Sequence, residues 1–489
     1  MKVTIQKAKN GEDTALIDGH FLHSNYAPVK EAERFVENLT LPYSASSIII
    51  IEPGLSYTSD LLRKKFPDTK IGAVRYTDAF KSYDSNFDFI LNFYEQDNFE
   101  AYLESKLNEE ELLTSVFISW PASVQIFIEY EKQIWPAIKA SMERAKTLLI
   151  TRQYFEKKWL LNSCNFLKYH NKLLTLNSPI NKDAVIISSG PSLIPFLKTL
   201  KENQDKFFII CLSSAISVCL ENNIIPDICM TTDGGYWAGE HLKPLYKTKL
   251  PVAMPLEAYC PKSLLSKLDI IPLNYGDGIS NELIEEEKLI ANKAVRNGTV
   301  SGTALLFAAN YCTKNIYLSG LDMACQTGYQ HAQPNQLEFN SSLRDNRINT
   351  KATRLTRSEL TNDSLDIYKN WFINNPLNMP GRKVFRLMEE KDKKNSLGWI
   401  QDIDLNSFVK MIPASSGAKE KTVYDIQENN HIIKSVLLFS DKIKSDTWRK
   451  NLFPLDFVQL SHNPKNSEIK TKIENEWEKL KTQIEDILS

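Results

Sequence analysis

The chain has 489 residues, 42% of them hydrophobic and 24% charged, with a net charge of −1 and a pI near 6.7. This is the composition of an ordinary globular protein, and the near-neutral balance argues against a general nucleic-acid binder. At roughly 150 residues per domain the length suggests about three domains.

Met1-Lys2-Val3-Thr4 leads into polar sequence without a secretory apolar region. The longest apolar run, Phe207 to Leu220, spans 14 residues with three serines, short of the ~20 needed to cross a bilayer. The seven cysteines form no CxxC pair. Cys211, Cys219, Cys229 and Cys312 lie in apolar runs, which suits reduced buried thiols and a cytoplasmic location rather than a metal cluster or disulfide framework.

Strand-like runs occur at Ser47–Ile51, Ile71–Arg75, Phe87–Phe93 and Ser115–Trp120, with helical patterns at Tyr57–Phe66, Asn98–Leu107 and Ser123–Lys146. The alternation predicts a parallel α/β domain over 1–175. Glu52-Pro53-Gly54 follows the first of these strands; it suits either a nucleotide turn or a plain turn in a non-catalytic domain. A further helix is expected over Tyr154–Leu174, before Asn177-Ser178-Pro179.

Strands are then expected at 184–188, 207–212, 228–232, 251–254, 269–274 and 315–319, alternating with helices at 192–203, 214–222, 236–246, 280–291 and 302–313. This is the pattern of a Rossmann-like doubly wound domain, assigned to 176–405, whose ligands belong at the carboxyl ends of its strands. Past Ser341 a polar helix is expected from Leu343 to Asn374, then a strand at Lys383–Leu387. A mostly helical region follows over 406–489, with an amphipathic segment at Ser467–Leu488.

Five strand ends carry candidate chemistry. Ser188-Ser189-Gly190-Pro191-Ser192 joins an apolar strand to a helix start, and backbone amides there suit an anion. Ser213 opens the turn after the second strand. Thr232-Asp233-Gly234-Gly235 ends the third, where Asp233 suits sugar hydroxyls or proton transfer. Gly298-Thr299-Val300-Ser301-Gly302-Thr303 places hydroxyls and glycines before an apolar helix. Gly320-Leu321-Asp322 ends the last strand, with Tyr329 and His331 in the polar loop beyond it. His331 is the candidate proton acceptor of this edge, with Asp233 and Asp322 as its acidic companions. Arg344, Arg347, Lys351, Arg354 and Arg357 recur at helical spacing, as a solvated face or a contact for an acidic group. Asp402-Ile403-Asp404 has the DxD form but lies far from these loops in sequence, and is taken as incidental.

Together these segments, with Pro226-Asp227 and Gly320-Leu321-Asp322-Met323-Ala324, resemble the motility accessory factor (Maf) family of bacterial flagellin glycosyltransferases. The family's central domain is similar to sialyltransferases that use CMP-activated nonulosonic acids. The resemblance implies transfer of a pseudaminic- or legionaminic-type sugar to Ser or Thr of flagellin, without a metal or a cofactor beyond the CMP-sugar. It matches Gly190, Pro191 and Ser192 to a phosphate loop, Ser301-Gly302 to a cytidine contact, and Tyr329 to a tyrosine near the CMP phosphate. The sialyltransferase base is a histidine placed further along than His331, so Asp233 stays open beside His331 as base. Two other readings share the fold: an archaeal-type 6-hydroxymethylpterin diphosphokinase using ATP and Mg²⁺, and a non-catalytic flagellin-binding chaperone. Flagellin is the expected protein partner, with neither nucleic acid nor membrane.

Overall fold

The structure is a computed structural model describing residues 2–96, 98–176, 178–323, 330–348, 350, 363–390, 395–414, 424–427 and 446–489. Its contacts divide into two compact units, one of 1–156 with 446–479, the other of 157–445 with 480–489. Among the described residues no helix is long and apolar enough to cross a membrane.

The first unit opens with an antiparallel sheet of β1 (Val3–Lys7), β2 (Asp13–Ile17) and β3 (His20–Phe21). A second sheet holds β4 (Ser47–Ile51), β5 (Lys70–Arg75), β6 (Phe89–Asn92) and β7 (Val116–Ser119) in the parallel order β6-β5-β4-β7. All five residues of β4 are buried, as expected of a strand covered on both faces. Strand order reverses between β4 and β7, the place where an open α/β sheet offers a crevice.

Here the chain fills that crevice itself. Glu52 is fully buried; its carboxylate accepts Tyr76 N–H at 2.7 Å and Arg75 Nη1 at 3.2 Å. Arg75 also donates to Gly54 O, Ser56 Oγ and Asp84 Oδ1 at 2.8–2.9 Å. His23, which follows β3, packs against Tyr57 and Trp120 and accepts Leu55 N–H on Nε2 at 2.9 Å. A Cβ on Gly54 would meet that same nitrogen at 2.5 Å. The Glu52-Pro53-Gly54 turn is thus packed against its own domain.

Burial, with Arg75 adding, pushes the His23 imidazole down to about 3 from 6.5. Between those values the unfolded chain binds a proton that the folded chain refuses. The stabilisation is complete above pH 6.5 and is lost as pH falls toward 3. His23→Gln, whose amide oxygen can still accept Leu55 N–H, should flatten the decline of the urea midpoint across this window. Equal slopes in the two proteins would contradict the assignment.

The second unit is built on one large sheet. Its strands are β8 (Lys172–Leu176), β9 (Asp183–Ile187), β10 (Phe207–Leu212), β11 (Ile228–Met230), β12 (Val252–Pro255), β13 (Asp269–Asn274) and β14 (Asn292–Lys293). They are followed by β15 (Ile316–Ser319), β16 (Val384–Leu387), β17 (Gln401–Ile403) and β18 (Tyr424–Gln427). The order is β17-β16-β15-β9-β10-β11-β12-β13-β8-β18, with β14 also on β13; only β18 runs antiparallel. Alternation of side chains sends Ala184, Ile186, Phe208, Ile210, Ile316 and Leu318 into a cluster with Ala304, Leu305, Phe307 and Ala308 of the helix Val300–Tyr311. The opposite face stacks Phe207, Tyr317, Phe385 and Phe408.

This is the expected doubly wound α/β fold, with the strands expected from 184–188 to 315–319 present and their bounds matched to within two residues. Three local expectations differ. Helices expected at Ser123–Lys146 and Tyr154–Leu174 belong largely to one helix, Ile128–Tyr169. It stops short of Leu174 because Lys172–Leu176 pairs with β13 and β18, so tertiary pairing overrides the helical preference of leucine. The polar helix expected from Leu343 does not continue from Gln336–Ser342. Arg344 N–H and Asp345 N–H close turns on Ser341 and Ser342, and Asn346 Oδ1 takes Ile348 N–H. Short polar side chains compete here with the helix ladder. Arg344 and Arg347 therefore do not share a helix face; Lys351, Arg354 and Arg357 lie outside the described residues. Further along, a helix covers Asp363–Asn374.

Asp402 and Asp404 both have structural tasks, in keeping with an incidental DxD. Asp402 pairs with buried Arg386 through both oxygens, and Asp404 caps the helix Leu405–Met411 through Ser407 N–H.

Candidate active site

Order reverses in the large sheet between β9 and β15, so the crevice lies where Ser188-Ser189-Gly190 meets Ser319-Gly320-Leu321-Asp322. The two strand ends are stitched together. Ser188 N–H donates to Ser319 O at 2.8 Å, Gly190 N–H to Gly320 O at 2.9 Å, and Ala332 N–H to Ser189 O at 2.7 Å. Gly190 has no room for a side chain, since a Cβ would stand 2.6 Å from the Asp322 carboxyl carbon. Gly320 has φ +70°, and a Cβ there would strike the Ser188 carbonyl. Gly320→Ala is expected to cost about 1–3 kcal/mol from backbone strain alone, read as a lower urea midpoint of unfolding.

The buried Asp322 carboxylate accepts the N–H of Ser192 at 3.2 Å and also takes its hydroxyl. Leu193 N–H turns back to Gly190 O. The amides after Pro191 are therefore committed within the protein, and Asp322 already supplies negative charge at this helical turn. Asp322 acts here as an orienting group for the Ser189–Ser192 loop.

His331 stands beside this seam through its neighbour Ala332. Its Nδ1 lies 3.1 Å from Oε1 of Glu338, a buried carboxylate that also accepts Gln330 N–H at 3.0 Å. Glu338 sits in the first turn of the helix Gln336–Ser342, which Asn335 caps through Leu337 and Glu338 N–H. Asn335 Nδ2 in turn donates to Ser214 O at 2.9 Å, tying this helix to the Ser213–Ala215 turn after β10. Glu338 thus fixes the ring through Nδ1, and Nε2 is the second nitrogen of that imidazole. His241, on the helix Tyr236–Leu242, is pushed down to about 4 by burial, with the charge of nearby His331 adding. Exposed Asp233 lies in the same electrostatic neighbourhood, its Oδ1 accepting Gly235 N–H at 2.8 Å. Tyr236 and Trp237 are exposed beside it.

A second group closes the other end of this edge. Arg296 lies between the rings of Trp159 and Tyr275, 4.9 and 4.5 Å from their centroids. It donates to both oxygens of Asp277 and to Oε1 of buried Glu257 at 2.9 Å. Burial works against the guanidinium charge, but Asp277 and Glu257 outweigh it and hold Arg296 protonated. Burial, with Glu257 adding, pushes the Tyr275 hydroxyl up to about 12, and that hydroxyl bonds Thr232 and Thr303. Asn162 Nδ2 donates to Gly234 O and Glu257 O, and Gly234 has only the space left by the Trp159 ring.

The 298–303 loop follows Arg296 directly in the chain. Asn297 Oδ1 accepts Thr299 N–H at 2.9 Å, Thr299 Oγ1 caps Gly302 N–H at 2.8 Å, and Ser301 Oγ donates to Thr299. Gly298, at φ +76°, lets the chain turn beneath Tyr368. Ser189, Gly190, Pro191, Ser192, Gly320, Asp322 and His331 are thus one neighbourhood; Thr232, Gly234 and Thr303 are a second. Asp233 and the 298–303 loop lie in sequence with the latter. Tyr329 is outside the described residues.

Sequence reasoning missed Glu338, Glu257, Arg296, Tyr275, Trp159 and Asn162. Glu257 and Tyr275 each follow a strand closely, so the strand-end rule reaches them. Nothing in the local sequence marks Trp159 or Asn162 on their long helix.

Residues 157–328 match the 6-hydroxymethylpterin diphosphokinase MptE-like family. An uncharacterized protein of Treponema pallidum (strain Nichols) is 29% identical over 318 residues, covering 63% of this chain and 69% of the relative. A second from the same organism is 26% identical over 121 residues, 24% of this chain and 53% of the other. The Maf glycosyltransferase of Magnetospirillum magneticum AMB-1 superposes over 99% of this chain and 90% of its own, with TM-score 0.50 and 13% identity. The chain therefore has the fold of the Maf glycosyltransferase of Magnetospirillum magneticum AMB-1, and its residues 157–328 are similar to the MptE-like family.

Proposed function

We propose that the chain is a glycosyltransferase moving a nonulosonic acid, of pseudaminic or legionaminic type, from a CMP-activated donor to Ser or Thr of flagellin in the cytoplasm. The observation that carries this reading is the His331–Glu338 pair at the edge where the switch-point loops meet. An acceptor hydroxyl oxygen bonds the anomeric carbon while its proton passes to Nε2 of His331. The anomeric C–O bond to phosphate breaks, and its electron pair leaves on CMP. Such base help is typically worth about 10²–10⁴-fold.

The donor carbon is tertiary and carries a carboxylate, so the transition state is oxocarbenium-like. Charge builds on the departing phosphate, and the helix end at Val300 can favour it by about 0.3–2 kcal/mol. The hydroxyls of Thr299 and Ser301 stand at that end. Asp233 supplies a second carboxylate near His241 and His331. Intact-mass analysis of flagellin from cells with and without the gene tests the reading. An identical mass in both would remove it.

The match of residues 157–328 favours a second reading, diphosphoryl transfer from Mg²⁺·ATP to a hydroxymethylpterin. Release of AMP only when the pterin is present would support that alternative over sugar transfer.

A further inference from the structure

A cavity of about 450 Å³ is lined by Ser217, Gln333, Asn335, Gln336, Glu338 and Phe339, with Pro334 and Ser342 also in its wall. Its size falls in the range of small-ligand and peptide-residue sites. The wall includes Glu338, the same carboxylate that holds His331 Nδ1, so the cavity and the imidazole share one side chain. Asn335 is committed to its cap and to Ser214 O, but Gln333 and Gln336, which donate to His331 O and Asn340 Oδ1, each carry a second N–H and an oxygen to offer, and Phe339 has an exposed ring. Among the described lining residues Glu338 is the one ionisable side chain, and its Oε1 is already bonded to His331 and Gln330.

This chemistry disfavours the donor. Among the described residues of that wall a phosphate or a carboxylate would find no cation, whereas Arg296 and the helix end at Val300 belong to the other group of loops. A peptide brings one N–H donor and one C=O acceptor per residue, the complement of side-chain carboxamides. Resting on the glycosyltransferase reading, we infer that this cavity seats the acceptor: an uncharged polypeptide segment whose Ser or Thr hydroxyl is presented to His331. The hydroxyl oxygen bonds the anomeric carbon, its proton moves to His331 Nε2, and the phosphate oxygen leaves with the bonding pair. Gln333 and Gln336 are then specificity residues, and charged residues flanking the modified site are disfavoured by the neutral wall.

The test uses the full chain with Ser217→Trp, which fills the cavity, and Gln336→Arg, which adds a cation at its wall. CMP release from the donor without acceptor, mass gain of flagellin, and fluorescence-anisotropy binding of labelled flagellin are measured side by side. Transfer is expected to fall about 10²-fold relative to CMP release in Ser217→Trp, as for misplaced reactants, with weaker flagellin binding in both variants. Equal loss of transfer and CMP release, or unchanged flagellin binding by both variants, would overturn the assignment. So would displacement of flagellin by a neutral oligosaccharide, which would make the cavity a sugar seat, or a wild-type chain that does not bind flagellin. A wild-type chain that binds flagellin through Ser217 but neither transfers sugar nor releases CMP would support the seat while removing the transferase reading.

Discussion

His331→Ala is expected to lower kcat for sugar transfer by about 10²–10⁴-fold, with a much smaller change in the KM for the CMP-sugar. The split follows from the proposed roles, in which His331 takes the acceptor's proton and the strand-end loops hold the donor. Glu338→Ala should fall in the same direction, because the ring loses the carboxylate at 3.1 Å that fixes Nδ1. Glu338→Gln keeps an oxygen for Nδ1–H and should recover part of that loss. Purified variants assayed for flagellin mass gain and CMP release decide it. If His331→Ala transfers as well as the parent, the base lies elsewhere, with Asp233 next in line.

Arg386→Leu is the largest expected stability loss, about 3–5 kcal/mol, because it strands a carboxylate inside the sheet. Arg386 is fully buried on β16 and binds Asp402 at 2.7 and 2.9 Å. It also donates to Asn395 Oδ1 and O at 2.9 and 2.6 Å, and to Leu321 O at 3.4 Å. Asn395 then donates to the carbonyls of Asp322 and Met323. The charge thus reaches the Asp322 seam through one intermediate side chain. Urea unfolding should show the loss, and replacing Asp402 by leucine in the same protein should restore part of it. A single-variant loss below about 1 kcal/mol would mean that the pair carries little of the fold.

The large sheet was legible because its central strands are buried on both faces and read as continuous apolar runs, such as Phe207–Leu212. The strand ends where glycines and small polar residues cluster were legible as well, but that β9 and β15 flank the reversal shows only in the sheet order. Lys172–Leu176 was not legible, since five residues rich in leucine fit a helix until their pairing partners are known. The partners of the site were hidden for a similar reason. Glu338 lies only seven residues from His331, yet its meaning depends on Asn335 fixing a helix start against Ser214. Arg296 joins Trp159, Glu257 and Asp277 from three separate elements, and Ser192 meets Asp322 across 130 residues of chain. Contacts of that range leave no periodic trace.

The Glu52–Arg75–His23 knot gives the N-terminal sheet a resident guest built from its own side chains. That sheet is already saturated at the place where its relatives in architecture would take a cofactor. Changes to those three residues should accordingly register in melting behaviour and shelf life, while the affinity constants for donor and acceptor stay where they were.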